Sequence, residues 1–306
     1  MTLILQEDQI EQLVAFIKGH EPVGMPTETV YGLAASIFDP LAIQKIFSMK
    51  GRPQDNPLIA HVSSIKMVDL IARDIPPIFD LLADAFWPGP ITFVLPRKES
   101  VPAIVCASQE TVAVRMPSHA LALSLIERVG VPLVAPSANI SGKPSPTSAR
   151  HVVGDFNGRL SAVLDGGECQ IGIESTVLSL VSSIPVLLRP GSITKEQIEA
   201  VLGFAIRLPE AGGPLLSPGM KYRHYAPKAT MHLVESLPPL PSSAFILSRE
   251  AVKDFEHRPL NERNFYAYLR LADELAVKEI WVLLDPVSLS QVALMNRLQK
   301  AAGISL

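Results

Sequence analysis

Two basic side chains one residue apart are the first candidates for chemistry in this sequence. Lys50 and Arg52 follow the helical pattern PLAIQKIFSM, and the apolar segment LIAHV comes shortly after them. Because Pro53 disfavours helical geometry at Arg52, both cations would project to one side, where a point charge beside a planar fork suits phosphate oxygens. Capping of the helix end is a strong alternative for Lys50, and the local pattern leaves both interpretations open.

Hydroxyl and charged residues also interrupt two apolar segments. In PTETVYGL, Thr27 and Thr29 flank Glu28 and would share one face of an extended chain; a helix N-cap is the alternative. In the strand pattern ETVAVRMP, Thr111 and Arg115 share a face, and an arginine in such a strand needs a counter-ion or water. Arg115 is therefore either a clamp on a carboxylate or a snorkelling residue at a sheet edge.

Small polar residues stand at several predicted strand ends. The stretch APSANISGKPSPT follows the strand pattern VPLVAP and would expose backbone N–H groups and hydroxyls as an anion-binding nest. Ser175 and Thr176 begin a strand behind a glycine-rich turn, and Arg189 ends the next strand. Ligands gather at strand ends in open α/β sheets, although ordinary turn chemistry is the alternative for each segment.

No familiar nucleotide-binding or catalytic motif accompanies these residues. The sequence contains no GxxxxGK[ST] phosphate loop, no GxGxxG after a strand, no HExxH and no GxSxG. Any nucleotide must therefore be held by a different arrangement of groups.

The elements that must position these groups are helices and strands in mixed order. The mixture predicts an α/β or α+β fold, with spacing too irregular for repeating βαβ units throughout. EPVGMPTETVYGLAAS predicts a short strand that runs into a loop or a tight helix start. Helices are predicted in EDQIEQLVAFIKG, IKMVDLIARDI, IFDLLADAFW, HALALSLIERVG and TKEQIEAVLG, and strands in PLIAHV, ITFVLP, ETVAVRMP, VPLVAP, SAVLD, ESTVLSLV and IPVLLRP.

A stretch rich in glycine and proline separates two parts of the chain. AGGPLLSPGMKYRHYAPKAT has no helical or strand period and is the best linker candidate. Beyond it, TMHLVES, SSAFILS and KEIWVLLDP predict strands, and AYLRLADELAVK and LSQVALMNRLQKAA predict helices. The sequence therefore predicts a large domain over 1–207, a linker over 208–229 and a small α/β domain over 230–306.

The composition of the 306 residues is that of a globular protein, with 48% hydrophobic and 19% charged residues. A formal net charge of −3 gives no global basic signature for nucleic acid or an anionic membrane. Cys106 and Cys169 lack metal-ligand spacing and are interpreted as small buried hydrophobes. The N-terminus has no signal-peptide pattern, and the apolar runs are too short to span a bilayer, so we expect a soluble, cytoplasmic protein.

Taken in order, the polar motifs resemble a known enzyme family. PTETVYGL, KGRP with its following NPL and HV, SANISG, ESTV, LRPG and SPGMKYRHYAP are similar to the YrdC-type L-threonylcarbamoyladenylate synthases, in the longer form with an added C-terminal domain. The similarity runs from about Gly24 to Pro227, and NRLQKAA is its main support beyond that point. It implies a twisted mixed sheet with surrounding helices and a concave groove, followed by a smaller Rossmann-like α/β domain.

The resemblance also implies an activity. Threonine, bicarbonate and ATP would give threonylcarbamoyl-AMP and pyrophosphate, and a separate transferase complex would use the product to modify the adenosine beside the tRNA anticodon. Mg²⁺ would arrive with ATP and keep most of its waters, so no metal-binding cage of side chains is expected. Positioning and neutralisation of phosphate charge would supply the catalysis, which fits a site without an obvious nucleophile. A weak direct contact with tRNA is compatible with the resemblance.

Matching the motifs residue by residue implies a role for each candidate. Threonine contacts are implied for Thr29, His61, Arg115, Ser175 and the backbone of Ala135. Nucleotide contacts are implied for Arg52, Asn56, Thr111, Ser137, Ser145, Arg189 and Tyr225, with His224 as the nearest rival of Tyr225. Lys50 and Asn139 would complete, with Arg52 and Ser137, the catalytic floor around the phosphates. The linker would be a gate as well as a tether, which its Gly and Pro hinges permit.

Two other functions compete with this one. A carbamoyl-transfer relative on the same fold, as in hydrogenase maturation, would carry zinc-finger-like and acylphosphatase-like modules that this sequence lacks. A double-stranded-RNA-binding module is the other alternative, and the acidic net charge and the lack of interleaved aromatic residues argue against it as the main role.

Overall fold

The strands of the large domain pair into one mixed sheet. The computed structural model describes residues 1–209 and 225–304. Within the first of these ranges the strands of this sheet are β1 Leu3–Leu5, β2 Val23–Met25, β3 Gly32–Ser36, β4 Ile59–His61, β5 Ile91–Pro96, β6 Thr111–Arg115, β7 Leu133–Val134, β8 Ala162–Leu164, β9 Thr176–Ser179 and β10 Val186–Arg189. Their order across the sheet is β1-β8-β2-β3-β7-β4-β6-β5-β9-β10.

Both strand directions occur in this sheet, which confirms the predicted mixed α/β fold. β4 runs parallel to β6, and β5 runs parallel to β9, whereas β5 and β6 are antiparallel. The register of β4 against β6 places His61 beside Arg115, so two predicted site residues lie next to each other at one strand end.

Helices cover the sheet, and their ends follow local capping chemistry. In the large domain they are α1 Ile10–Lys18, α2 Pro40–Lys50, α3 Ile78–Phe86, α4 Ala120–Val129, α5 Ala149–Phe156 and α6 Lys195–Leu202. Asp39 caps α2 by accepting hydrogen bonds from the N–H groups of Leu41 and Ala42, and Pro40 occupies the first helical position. Gly51 ends the helix in the left-handed conformation, with a φ of 58°. The predicted helix before the KGRP motif is therefore confirmed.

Three segments differ from the sequence prediction. IKMVDLIARDI forms only a 3₁₀ segment, Ile65–Leu70, because the chain turns at Ala72 to bridge Arg97 at the end of β5. GLAAS forms strand β3 rather than a loop or helix start. The short helix α5 was not predicted, although its apolar residues from Ala149 to Phe156 follow helical spacing.

The small domain is a parallel three-stranded sheet with helices. Its strands are β11 Thr230–Val234, β12 Phe245–Ser248 and β13 Glu279–Leu283, in the order β11-β13-β12. Its helices are α7 Glu262–Glu274, α8 Pro286–Ser290 and α9 Val292–Ala302. This architecture confirms the predicted smaller Rossmann-like domain. Within the described ranges, none of the helices combines the length and apolar character that a bilayer crossing requires.

The described strands of the two domains lie on either side of the predicted linker. The large sheet makes its last described pairing where Val186 bridges Arg207, and the small sheet begins at Thr230. Most of the predicted linker, including His224, lies outside the described residues. The division into 1–207, 208–229 and 230–306 therefore stays a prediction.

The two domains share apolar and charged contacts. Val30 and Ile173 of the large domain belong to the same buried cluster as Phe265 of the small domain. Gly172 has a φ of +85° and packs so tightly on α7 that an added Cβ would lie 2.5 Å from the Cα of Arg263. Arg270 of α7 donates to the carbonyl of Pro144 at 2.7 Å and to the Asp155 carboxylate at 2.8 Å.

We expect Arg270→Met to lower the free energy of unfolding by about 2 kcal/mol, because buried acceptors of the large domain lose a charged donor. Urea denaturation measures this loss. The matched control is Arg263→Met on the same helix, whose exposed guanidinium lies 4.0 Å from Glu168 and contributes at most about 0.5 kcal/mol. Equal effects of the two substitutions would contradict a stabilising role for the buried contact.

Candidate active site

Most of the predicted site residues line one cavity in the large domain. The cavity encloses about 690 Å³ of empty space, counting its open mouth. The predicted residues that line it are Thr29, Arg52, His61, Arg115, Ala135, Ser137, Asn139, Ser175, Arg189 and Tyr225. Gly32 lies in its wall, and an added Cβ there would come within 2.9 Å of the Cβ of Ala135. The wall therefore requires glycine at this position.

Arg115 dominates one end of the cavity. Its guanidinium lies 2.6 Å from Glu28 Oε1, donates to Thr29 Oγ1 at 2.8 Å and donates to the carbonyl of Gly89 at 3.2 Å. Arg115 is only 3% exposed and lies on the interior strand β6. The alternative of a snorkelling edge residue is therefore wrong. No helix begins at Thr27 or Thr29, so the N-cap alternative for this segment is also wrong.

The charges at this end are fixed by burial and by the ion pair. Burial opposes ionisation of Glu28, but the adjacent Arg115 guanidinium outweighs it and lowers the pKa of the carboxyl below its usual value. Burial, assisted by the positive charge of Arg115, lowers the pKa of His61 to about 3. At neutral pH this end therefore contains a compensated ion pair beside an uncharged imidazole.

Two arginines stand at the other end of the cavity. Arg52 donates to the carbonyl of Pro57 at 2.9 Å and to that of Asn56 at 3.3 Å. Burial lowers the pKa of Arg52 to about 10, which still leaves it protonated at neutral pH. Arg189 donates to Ser175 through its carbonyl at 3.0 Å and its hydroxyl at 3.1 Å. This end combines two planar cations with serine hydroxyls, which suits phosphate oxygens.

Lys50 does not join Arg52 on one side of the chain, in contrast to the sequence prediction. Its side chain is buried beneath the SANISG turn, where Nζ donates to the carbonyls of Ser137 at 2.5 Å and Asn139 at 2.7 Å. The Asn139 amide in turn donates to the carbonyls of Ile140 and Lys143. Lys50 thus neither lines the cavity nor caps its own helix, and its contacts hold the turn that presents Ser137.

Three other predicted residues are not among those that line the cavity. Asn56 contributes its carbonyl to Arg52 rather than its side chain to the cavity. Thr111 starts β6, at the opposite end of that strand from Arg115, and pairs with Pro96. Ser145 is fully buried and donates to Glu174 Oε1 at 2.6 Å. The nucleotide contacts of these three residues stay predictions.

Comparison with models of protein families shows which family the chain belongs to. Residues 15–191 match the family model described as "Telomere recombination", whose members include Sua5, YciO and YrdC, and residues 193–303 match "Threonylcarbamoyl-AMP synthase, C-terminal domain". The chain belongs to this family. It has the long, two-domain form, as the resemblance implied, and it is an enzyme of the nucleotidyltransferase type.

Individual relatives agree with this affiliation. The threonylcarbamoyl-AMP synthase of Pyrococcus abyssi is 50% identical over 235 residues, which cover 76% of this chain and 69% of the relative. The Bacillus subtilis enzyme of the same name is 43% identical over 328 residues, or 98% of this chain and 95% of the relative. The crystal structure of P. abyssi Sua5 complexed with L-threonine matches with a TM-score of 0.89 at 40% identity, covering 99% of this chain and 98% of that structure.

The carboxylates of this family member's site are the residues that the sequence prediction missed. Glu28 pairs with Arg115, and Glu174 lines the cavity at the opposite end. Both acids stand inside quoted motifs, PTETVYGL and ESTV, so their position was a usable signal. Among residues 1–209 and 225–304, no group of three or more His, Cys, Asp or Glu side chains is arranged to hold a metal ion.

Because Lys50 holds the SANISG turn, we expect Lys50→Met to loosen residues 137–143. Two buried carbonyls would lose their donor, at a cost of about 1–3 kcal/mol each, and amide exchange in the turn should rise about tenfold or more. Hydrogen–deuterium exchange with mass spectrometry measures this. Lys45→Met is the control, because Lys45 lies on the same helix with an exposed partner, Glu21. Unchanged amide exchange in residues 137–143 would show that Lys50 does not hold this turn.

Proposed function

We propose that the chain is an L-threonylcarbamoyl-AMP synthase that joins L-threonine, bicarbonate and ATP and releases pyrophosphate. The observation that carries this proposal is that three arginines, Arg115, Arg52 and Arg189, line one cavity. Such a cavity suits one small carboxylate ligand and one polyphosphate ligand held side by side. The P. abyssi relative crystallised with L-threonine supports the first of these assignments.

Threonine would occupy the Arg115 end. Its carboxylate would accept from Arg115, whose guanidinium Glu28 and Thr29 already hold in place. His61 is uncharged there and offers a hydrogen-bonding group without adding a second cation. Ser175, whose hydroxyl lies 2.8 Å from Thr92 Oγ1, offers a further polar contact between the two ends.

ATP would occupy the Arg52 and Arg189 end. Arg52, Arg189 and the turn carrying Ser137 would face the phosphates, and Tyr225 would cover the nucleotide from its place in the cavity wall. The two acids of the site are both paired with arginine, and this donor set does not form a carboxylate cage for a metal. Mg²⁺ would therefore be held by the phosphate oxygens of ATP and by water.

The chemistry requires positioning rather than a protein nucleophile. The threonine nitrogen bonds to the carbon of bicarbonate and water leaves, which gives a carbamate. A carbamate oxygen then bonds to the α-phosphorus of ATP, and pyrophosphate leaves. Arginines aimed at the transferring and departing phosphates would stabilise the negative charge that builds up in this step.

The product of this reaction would be a reactive intermediate for tRNA modification. Threonylcarbamoyl-AMP is a mixed anhydride and would pass to a separate transferase complex for threonylcarbamoyl modification of the tRNA adenosine next to the anticodon, with at most a weak contact between this chain and tRNA. These partners imply a cytoplasmic location. Between the synthase and the carbamoyl-transfer alternative, the match of residues 193–303 to a synthase-specific C-terminal domain favours the synthase.

We expect the purified protein to release pyrophosphate from MgATP only when threonine and bicarbonate are both present, because the nucleophile is formed from those two substrates. A coupled pyrophosphate assay with each substrate omitted in turn measures this dependence. Equal release without threonine would refute the synthase assignment.

Arg52→Ala should reduce threonine-dependent pyrophosphate release by about 100-fold or more, since one preorganised charge at the phosphates is lost, while the thermal unfolding profile stays close to that of the native protein. Arg128→Ala is the matched control, because Arg128 is exposed and pairs with Glu11 on the surface. Loss of folding in the Arg52 variant would indicate a structural role for this residue instead.

A further inference from the structure

The carboxylate of Glu174 connects the cavity to the small domain. Glu174 lines the cavity, yet its two oxygens face protein donors. Oε1 accepts from Ser145 at 2.6 Å, and Oε2 accepts from Tyr266 at 2.9 Å and from Arg297 Nε at 2.8 Å. Tyr266 lies on α7 and Arg297 on α9, so the small domain supplies two of these three donors.

Arg297 is built into this position. It is the largest fully buried side chain among the described residues, with 0% exposure. Besides the carboxylate, it donates to the Glu174 carbonyl at 3.3 Å and to Asn296 Oδ1 at 2.9 Å. Its guanidinium lies 5.7 Å from the centre of the Tyr225 ring, and the Tyr225 and Tyr266 rings lie 5.2 Å apart. Arg297 therefore contacts Glu174 and lies close to Tyr225, and both of these residues line the cavity.

An ionised acid in this wall poses an electrostatic problem for a phosphate ligand. Burial opposes ionisation of Glu174, but Arg297 and the more distant Arg189 outweigh it and lower the pKa of this carboxyl to about 2. Glu174 is therefore negatively charged at neutral pH, at the end of the cavity assigned to polyphosphate. Without a compensating cation, it would repel the ligand and compete with it for Arg189.

We propose that Arg297 and Tyr266 are positioning residues of the synthase site, which neutralise Glu174 and hold it in the wall so that Arg52 and Arg189 act on the nucleotide. This inference rests on the proposed function. It gives the small domain a role in ATP binding. The NRLQKAA motif has this role because it contains Arg297. Arg297 and Tyr266 act through Glu174 and Tyr225, without lining the cavity themselves.

A purely structural role makes a different prediction. Arg270 also reaches from α7 into the large domain, but its carboxylate partner is Asp155, which does not line the cavity. If Arg297 served only to attach the domains, replacing either arginine would have the same kind of effect. If Arg297 neutralises Glu174, its loss should be corrected by removing the charge of Glu174, and the loss of Arg270 should not.

The test compares four variants of the full chain by calorimetric titration with the Mg²⁺ complex of a non-hydrolysable ATP analogue. Arg297→Met should weaken binding by about tenfold or more, because a buried carboxylate is left uncompensated. Glu174→Gln combined with Arg297→Met should bind about tenfold more tightly than Arg297→Met and reach the level measured for Glu174→Gln itself, because no buried carboxylate remains to be compensated. Arg270→Met should lower stability with little change in nucleotide affinity.

The dependence on pH provides a second readout that packing alone would not produce. In Arg297→Met the pKa of Glu174 loses its main lowering influence and rises, so affinity should recover as pH falls from about 8 to about 6 and the carboxyl is protonated. The charged or titratable groups around Glu174 are Arg189, Tyr225, Tyr266, Arg297 and Lys300. Burial, together with the positive charges of Arg297 and Arg189, lowers the pKa of Lys300 to about 8, and the double variant measures what Lys300 contributes when Arg297 is absent. If affinity recovers at low pH in Arg297→Met but not in Arg297→Met combined with Glu174→Gln, the recovery is due to protonation of Glu174.

The outcomes separate this inference from the proposed function. Failure of the double substitution to restore affinity, or equal losses in Arg297→Met and Arg270→Met, would overturn the inference while leaving the synthase assignment intact. Absence of threonine-dependent pyrophosphate release by the native protein would remove the proposed function itself. If Arg297→Met does not fold, Tyr266→Phe replaces it in the test, because this substitution keeps the ring and removes one donor to Glu174. Tyr266→Phe should weaken nucleotide binding about threefold, and adding Glu174→Gln should restore it. Unchanged affinity in Tyr266→Phe would overturn the inference.

Discussion

Buried positive charge is the constraint on which this structure depends. Arg115, Arg189 and Arg297 are almost inaccessible to water, and each has hydrogen-bond acceptors within the protein. A cation removed from water is tolerated only when it is paired or hydrogen-bonded. The acids and the turn carbonyls around the cavity accept the hydrogen bonds of these cations. The loops that carry these acceptors are therefore held next to the buried cations.

The elements with strong capping and hydrophobic patterns were predictable from sequence. Helix α2 is framed by Asp39 and Gly51, whose roles at helix ends follow from their side chains. IKMVDLIARDI misled the prediction because helical spacing does not reveal that Ala72 must turn to meet Arg97. The small residues of β3 carry little periodic signal, so tertiary packing decides their structure. Helix α5 does carry helical spacing of apolar residues, but over only eight residues, and the prediction missed it.

The sequence indicated which residues gather at the site, but it gave less information on the direction in which each side chain points. The order of the motifs pointed to Arg52, Arg115 and Arg189, and these residues do meet in one cavity. The orientation of Lys50 depends on a turn 87 residues away, and no local spacing encodes such a contact. The pairing of Glu174 with Arg297 is likewise a contact between motifs, whose partners are 123 positions apart in the sequence.

That separation along the chain has a consequence for biosynthesis. A ribosome completes all strands of the large sheet before it reaches α9, and domains generally fold in the order of their synthesis. Until α9 docks, Glu174 lacks its guanidinium partner and Tyr225 lacks the neighbour beneath its ring. The nascent protein can therefore possess a folded large sheet before the contacts behind its cavity wall are complete.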